Sequence, residues 1–272
     1  MNRSHLVSIV TPCFNAAGTI RDTIESVLGQ TYPNIEYIVI DGGSTDGTVD
    51  IIREYEPRFE GQTGRMRWVS EPDGGIYDAM NKGIRMARGE LIGTINADDW
   101  YERDAVERIV AAAAGATGPF IITGRVCICD PRGKKLYHQD ACGDVAGCVR
   151  RFMPVCQPAT FVSKAAYESV GLFDASFRIA ADYDFVFRAV SAGVKFATTS
   201  ADIANMRFGG VSAVGVGDDN LRALEDSRVR RKNGHPYYAL YRLAADTLMN
   251  RYRHIKRRIF GRFFVMKRIE LE

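Results

Sequence analysis

The sequence predicts an α/β fold, a mainly parallel sheet flanked by helices, followed by a basic helical appendage. Three observations carry this expectation. Short apolar runs alternate with amphipathic segments through the first half of the chain, the pattern of strand–helix–strand units. Two acidic clusters, Asp41-Gly-Gly-Ser-Thr-Asp46 and Asn96-Ala-Asp98-Asp99, each follow directly on such an apolar run. In an open α/β sheet that is the crevice beyond the carboxyl ends of the strands, where ligands bind. Finally, residues 222–272 hold 14 Lys/Arg against 5 Asp/Glu, a net +9, while residues 1–221 hold 22 against 28, a net −6. A mildly acidic body therefore carries a strongly basic tail, and the expected boundary separates residues 1–217 from 218–272.

The elements follow in order. Leu6–Thr11 reads as a strand, and Thr19–Leu28 as a helix with Ile20, Ile24, Val27 and Leu28 on one face. Glu36–Ile40 is the second strand, after which Asp46 is expected to cap a helix through Val49, Ile51 and Ile52. Met66–Ser70 is a strand, Ile76–Ala87 a helix, Leu91–Ile95 a strand, Arg103–Ala114 a helix and Phe120–Ile128 a strand. The pattern then loosens. Pro131-Arg-Gly-Lys reads as a turn at a hairpin tip. Ala159–Val162 is a short strand, Ser163–Val170 and Asp182–Ala192 are helices, and Val194–Thr199 is a last strand. From Asp218 the chain is helical in character. Tyr237, Tyr241, Ala244, Leu248, Tyr252, Ile255, Ile259, Phe263 and Met266 recur every three or four residues, with Arg and Lys interleaved.

At 272 residues, 46% hydrophobic and 25% charged, the chain has the composition of a globular protein with a sizeable core. The apolar start is too short for a signal peptide, and no stretch approaches the roughly 20 apolar residues of a membrane span. Cys13, Cys127, Cys129, Cys142, Cys148 and Cys156 show no Cys-x-x-Cys pair. A zinc site is not expected, and reduced thiols in a cytosolic protein are. His5, His138, His235 and His254 have no metal-ligand spacing. No Gly-x-Gly-x-x-Gly follows the first strand, so a dinucleotide fingerprint is absent. The basic tail comes with no recognised nucleic-acid-binding module, and no nucleic acid partner is expected.

Carboxylates gathered past strand ends suit a hard divalent cation and a diphosphate that the cation neutralises. Ser8-Ile-Val-Thr-Pro-Cys-Phe-Asn15, Asp41-Gly-Gly-Ser-Thr-Asp-Gly-Thr48 and Asn96-Ala-Asp-Asp99 resemble, in order and spacing, the motifs of family 2 glycosyltransferases with a GT-A fold. Ser70-Glu-Pro-Asp-Gly-Gly-Ile-Tyr-Asp-Ala-Met-Asn-Lys-Gly-Ile84 is similar to the subgroup that builds bacterial exopolysaccharides, including colanic-acid-type transferases. The likeness spans about residues 5–212. It implies a GT-A-like catalytic domain, a UDP- or GDP-sugar donor, Mg²⁺ or Mn²⁺, and inversion at the anomeric carbon.

The resemblance assigns roles that the residues alone leave open. Thr11-Pro-Cys-Phe-Asn15 reads by itself as a strand-to-helix turn; the resemblance makes Thr11, Pro12 and Asn15 donor contacts. It places Asp41 at the nucleobase, and moves Asp73 and Asn81 from a plain Pro-Asp-Gly-Gly turn and the helix after it to the donor pocket. The family's Asp-x-Asp stands here as Asn96-Ala-Asp98, so the metal falls mainly to Asp98 with Asp99 in reserve, and Asn96 is left to bind a ribose hydroxyl. Asp182 matches the second residue of the family's Glu-Asp pair and becomes the general base, while Ala181 replaces the Glu. Asp184 reads as a helix-start acid. Gln157 is carried over toward the acceptor or leaving group. Arg207, before Phe-Gly-Gly-Val-Ser212, is carried over to phosphate oxygens.

The implied partners are a nucleotide-sugar donor and a lipid-linked or oligosaccharide acceptor. A basic amphipathic tail fits an anionic membrane surface, and the implied location is the cytoplasm at the inner face of the cell membrane. Packing on the catalytic domain, or on a second copy in a homodimer, is the other use of such a helix. Against the transferase stands a non-catalytic sugar-nucleotide-binding or assembly protein, from which donor turnover would separate it.

Overall fold

A computed structural model of the chain describes residues 5–59, 66–208, 219–245 and 247–248. The chain divides into two compact units, Met1–Ala213 and Val214–Glu272.

The first unit is built on β1 (Val7–Cys13), α1 (Ile20–Leu28), β2 (Ile35–Asp41), α2 (Thr48–Tyr55), β3 (Met66–Ser70), α3 (Ile76–Met86), β4 (Leu91–Thr94), β5 (Trp100–Tyr101) and α4 (Ala105–Ala112). It continues with β6 (Phe120–Cys129), β7 (Lys135–Gln139), α5 (Val145–Cys148), β8 (Thr160–Ser163), α6 (Lys164–Val170), α7 (Ala181–Ser191) and β9 (Lys195–Arg207). The strands form one sheet in the order β3-β2-β1-β4-β8-β6-β9-β5, with β7 paired to β6.

β1 sits at the centre of the parallel half, bonded to β2 on one side and β4 on the other. Every residue of β1 and β2 is buried, as expected of central strands covered on both faces. Their apolar runs are therefore continuous rather than alternating. Val7, Ile9, Tyr37 and Val39 join Ile20, Ile24, Val27, Ile52 and Tyr55 from α1 and α2 in one core. On the other face α3 approaches so closely that a Cβ at Gly83 would fall 2.2 Å from a Val10 methyl. Because the chain leaves β1 toward β2 and β3 and returns on its far side as β4, a topological switch point lies between β1 and β4.

The second half of the sheet is mixed. β8 inserts antiparallel between β4 and β6, β6 runs parallel to β9, and β5 runs antiparallel to β9. β9 is longer than its expected Val194–Thr199, reaching Arg207. Its second part pairs with both β6 and β5 across a register shift near Arg125, contacts that no local pattern announces. The turn after Asp130 does close a hairpin, with the Asp130 carboxylate accepting from the amides of Arg132 and Lys134. Cys142 and Cys148 are joined in a disulfide. This corrects the expectation of six reduced thiols: α5 folds the two cysteines back together within a single turn. Cys13, Cys127, Cys129 and Cys156 are free and buried.

In the second unit, α8 (Asp219–Lys232) is followed by helical residues 236–245. The Ser227 hydroxyl donates to the Ala239 carbonyl, and the Arg230 guanidinium faces the Tyr238 ring. Tyr237, Leu240, Tyr241 and Leu248 are exposed. The expected apolar positions from Tyr252 onward lie outside the described residues, as does Gly209–Val211 with Ser212. None of the described helices is long and apolar enough to cross a membrane.

Candidate active site

The loops beyond the carboxyl ends of the parallel strands are laced into one another. Asn15 follows β1 in a left-handed conformation, φ 48°, the only non-glycine residue with positive φ among the described residues. Asn tolerates this conformation because its short polar side chain bonds locally. Its amide donates to the Ser44 hydroxyl at 2.7 Å, and its side-chain oxygen accepts from the Thr45 amide at 3.0 Å. The Ala16 amide reaches the Thr48 hydroxyl and the Ala17 amide reaches the Asp46 carboxylate. Asp46 also accepts from the Thr48 amide and hydroxyl. It thus holds the start of α2 from one residue ahead of the cap position, which is Gly47.

Asp41 is wholly buried at the end of β2. Its carboxylate accepts from the amides of Gly43 and Ser44 and from the hydroxyls of Ser44 and Ser70. Burial pushes its pKa up, but these bonds outweigh burial and leave it below the ordinary carboxylate value. A Cβ at Gly42 would lie 2.7 Å from an Asp73 carboxylate oxygen. Asp73 in turn accepts from the Gly75 amide, and Asp78 from the Gly74 amide. Gly75 takes φ 112°, which bars a side chain there.

The loops after β1, β3 and β4, with residues 175–178 and 206–207, wall a cavity of about 640 Å³. Of the residues singled out from the sequence, Pro12, Asn15, Asp73, Asn96, Asp98, Asp99 and Arg207 line it. Thr11, Asp41, Asn81, Gln157 and Asp182 do not. Thr11 is buried in β1 under the Tyr37 hydroxyl, a core position away from the cavity lining. Asn81 spends both ends of its amide on the Phe173 backbone, at 2.8 and 3.0 Å, and so tethers a loop outside the cavity lining. Asp41 shapes its loop from behind the cavity wall. Gln157 donates to the carbonyl and hydroxyl of Thr94. With Asp182 it borders a separate small pocket of about 20 Å³. Asp182 accepts from the Tyr183 amide at 2.8 Å and from the Tyr77 hydroxyl at 3.3 Å. Asp184 is fully buried in an ion pair with Arg188, whose other nitrogens hold the carbonyls of Val170 and Leu172. The sequence reading missed Phe14, Gly74, Tyr77 and Arg178 in the cavity wall. Each is a neighbour of a motif already marked, which is the signal that could have found them.

At the end of β4 the two carboxylates differ. Asp99 is 1% exposed. It accepts from the Arg207 amide at 3.0 Å and lies 3.4 Å from the Asn96 side-chain nitrogen. Burial and the neighbouring Asp98 charge push its pKa well up. Burial also raises Asp98, against its own amide and the attraction of Arg207, and its carboxylate has no side-chain partner among the described residues. The Asn96 side-chain oxygen is buried and meets no donor among the described residues, and the Arg207 Nε is buried and meets no acceptor there. Arg207 otherwise rests on Asp22 and stacks 4.9 Å over the Trp100 ring. Residues of the cavity wall thus hold an acceptor-rich cluster beside a guanidinium with an unspent donor.

No group of three or more His, Cys, Asp or Glu among the described residues is placed to hold a metal unaided. Asp98 and the orphaned Asn96 oxygen nonetheless fit Mg²⁺ or Mn²⁺. Such ions take a carboxylate or two from the protein and complete their shell with water and substrate phosphates.

The family model of Glycosyl transferase family 2 matches residues 8–161, which contain the β1, β3 and β4 loops of this cavity. The chain belongs to glycosyl transferase family 2. Among its relatives, this family 2 chain is 35% identical over 196 residues to the uncharacterized glycosyltransferase Rv1514c of Mycobacterium tuberculosis, covering 70% of each chain. It is 39% identical over 107 residues to the hyaluronan synthase of Pasteurella multocida, covering 39% of this chain and 11% of that one. Two solved structures share the GT-A fold. Staphylococcus aureus TarS 1–349 with UDP-GlcNAc matches with TM-score 0.63 at 15% identity, over 89% of this chain and 71% of that one. The mannosyltransferase PcManGT of Pyrobaculum calidifontis with GDP-Man and Mn²⁺ matches with TM-score 0.63 at 19% identity, over 90% and 74%.

Proposed function

We propose that the chain is a metal-dependent inverting glycosyltransferase, moving a hexosyl group from a UDP- or GDP-sugar to a hydroxyl of a lipid-linked saccharide in cell-surface polysaccharide synthesis. The observation that carries this reading is the pairing, in one cavity wall, of the orphaned Asn96 oxygen beside Asp98 with the unspent Nε of Arg207. The first suits a cation and the second a phosphate oxygen. Phe14, 63% exposed at the same wall, offers an aromatic face to a nucleobase. Asp98 would hold Mg²⁺ or Mn²⁺ with Asn96, and Asp99 would support them from behind. When bound, the cation neutralises charge developing on the departing diphosphate.

In this reading Asp182 removes the proton from the acceptor hydroxyl. The hydroxyl oxygen then attacks the anomeric carbon opposite the diphosphate, and the bond to the diphosphate oxygen breaks with inversion. Arg207 pairs with the leaving anion. The exposed apolar residues of helix 236–245, in a tail of net +9, support contact with an anionic membrane surface at the inner leaflet, where a lipid-linked acceptor would lie.

Release of nucleoside diphosphate from UDP-GlcNAc or GDP-mannose, with and without Mn²⁺, tests the reading. Metal-dependent release supports it, and absence of release or binding with any nucleotide sugar overturns it. The position of Asp182 behind Tyr77 favours a second reading, a non-catalytic sugar-nucleotide-binding protein, which would bind a donor without releasing its nucleotide.

A further inference from the structure

Helix α7 carries Asp182 on its first turn, yet the residue at its cap position is Ala180, which has no side chain to cap it. A polar group that reaches it comes from a different helix. Tyr77, on the first turn of α3, lines the large cavity and is 7% exposed. Its hydroxyl donates to Asp182 Oδ1 at 3.3 Å, and the backbone amides of Ala181 and Asp182 act on its oxygen. One turn further along α3, Asn81 grips the Phe173 backbone through both ends of its amide, and the Tyr77 and Phe173 rings lie 5.7 Å apart. A single face of α3 therefore holds the 173–182 segment at two points. The same helix begins at Gly74–Gly75, in the cavity wall.

We propose that Tyr77 is a positioning residue: its hydroxyl fixes Asp182 and the first turn of α7 to the wall of the donor cavity. The segment that receives the donor, 73–77, then also orders the base. The role of Asp182 as base rests on the glycosyl-transfer reading above, whereas the tether itself does not. If the tyrosine only filled space, phenylalanine would serve equally, because the ring contacts to Phe173 do not involve the hydroxyl.

The test is Tyr77→Phe in the full-length chain, read in two ways. The first is nucleoside diphosphate release from UDP-GlcNAc and GDP-mannose with Mn²⁺. The expected result is a kcat lower by about 10–100-fold with KM little changed, the cost of removing a hydrogen bond to a charged group. The second is hydrogen exchange at the amides of residues 181–184, which should become faster while exchange in β1 and β2 is unchanged. Wild-type kcat and wild-type exchange together overturn the proposal, as does a fall in kcat with unaltered exchange. If the wild-type chain turns over neither donor, that failure belongs to the glycosyl-transfer reading. The exchange measurement alone then decides whether Tyr77 orders α7.

Discussion

The Asp73 carboxylate rests against the bare Cα of Gly42, so close that an added Cβ would stand 2.7 Å from its oxygen. The loop after β2 and the turn before α3 thus share one boundary. Gly42→Ala would push the Asp73 carboxylate aside, a small movement at a side-chain tip. The expected result is a melting temperature within a few degrees of wild type, roughly the effect of 1 kcal/mol or less, together with weaker binding of UDP or GDP. Isothermal titration beside a thermal melt checks both halves.

Asp98→Ala should weaken Mn²⁺-dependent donor binding by more than the roughly 10–100-fold that loss of an outer-shell partner costs. Asn96→Asp should act in the opposite direction, adding a charge where the amide oxygen now has no donor among the described residues. It should tighten Mn²⁺ binding and lower the metal-free melting temperature, because a third carboxylate would crowd two whose pKa values are already raised. Metal titrations of the three proteins read this directly.

Asp182→Asn should reduce donor turnover by about 10²–10⁴-fold, the usual contribution of a general base, and leave donor affinity intact. Turnover at the wild-type rate would remove Asp182 from the base role.

Glu36 is buried at the opposite end of the sheet and binds Arg67, the Ser8 hydroxyl and the amides of Arg88 and Gly89. Burial raises its pKa, yet these partners together bring it below the ordinary value of 4.5. A lowered folded-state pKa means that its stabilisation is complete above the unfolded value and is lost as pH falls through the folded one. Glu36→Gln should therefore destabilise by about 2 kcal/mol at pH 7, with the gap to wild type closing in strong acid. Urea unfolding at both ends of this range measures it.

In the tail, Tyr241→Ser with Leu248→Ser should lower binding to anionic vesicles by about tenfold, with little effect on vesicles of neutral lipid. Cosedimentation measures this. Unchanged vesicle binding, or self-association that disappears in the variant, would assign the apolar face to another partner.

The parallel half of the fold was legible because β1 and β2 are covered on both faces and their apolar runs are unbroken. The turn residues Asn15, after β1, and Gly75, after β3, announce their backbone angles by residue type. The insertion of β8 between β4 and β6 was not legible, since the choice of a strand partner is made by residues far away in sequence. The same limit governed the site. Pro12, within β1, and Asn15, Asp73 and Asp98, on the loops after β1, β3 and β4, line the cavity, and each belongs to a local motif. Asn81 looked like a ligand contact because its position follows such a motif, but its partner, Phe173, is 92 residues distant. Cys142 and Cys148 were read as separate thiols because a spacing of six residues matches no familiar motif, while the turn of α5 brings them together.

The contact between Gly83 and Val10 has a thermodynamic consequence. It packs α3 directly onto β1, so Pro12–Asn15 and Asp73–Tyr77, which project from those two elements, are set against each other by the core itself. Little ordering entropy then remains to be lost at this side of the cavity when a ligand arrives. Any side chain larger than hydrogen at position 83 would spread the two elements and loosen the cleft, lowering affinity without touching a single contacting atom.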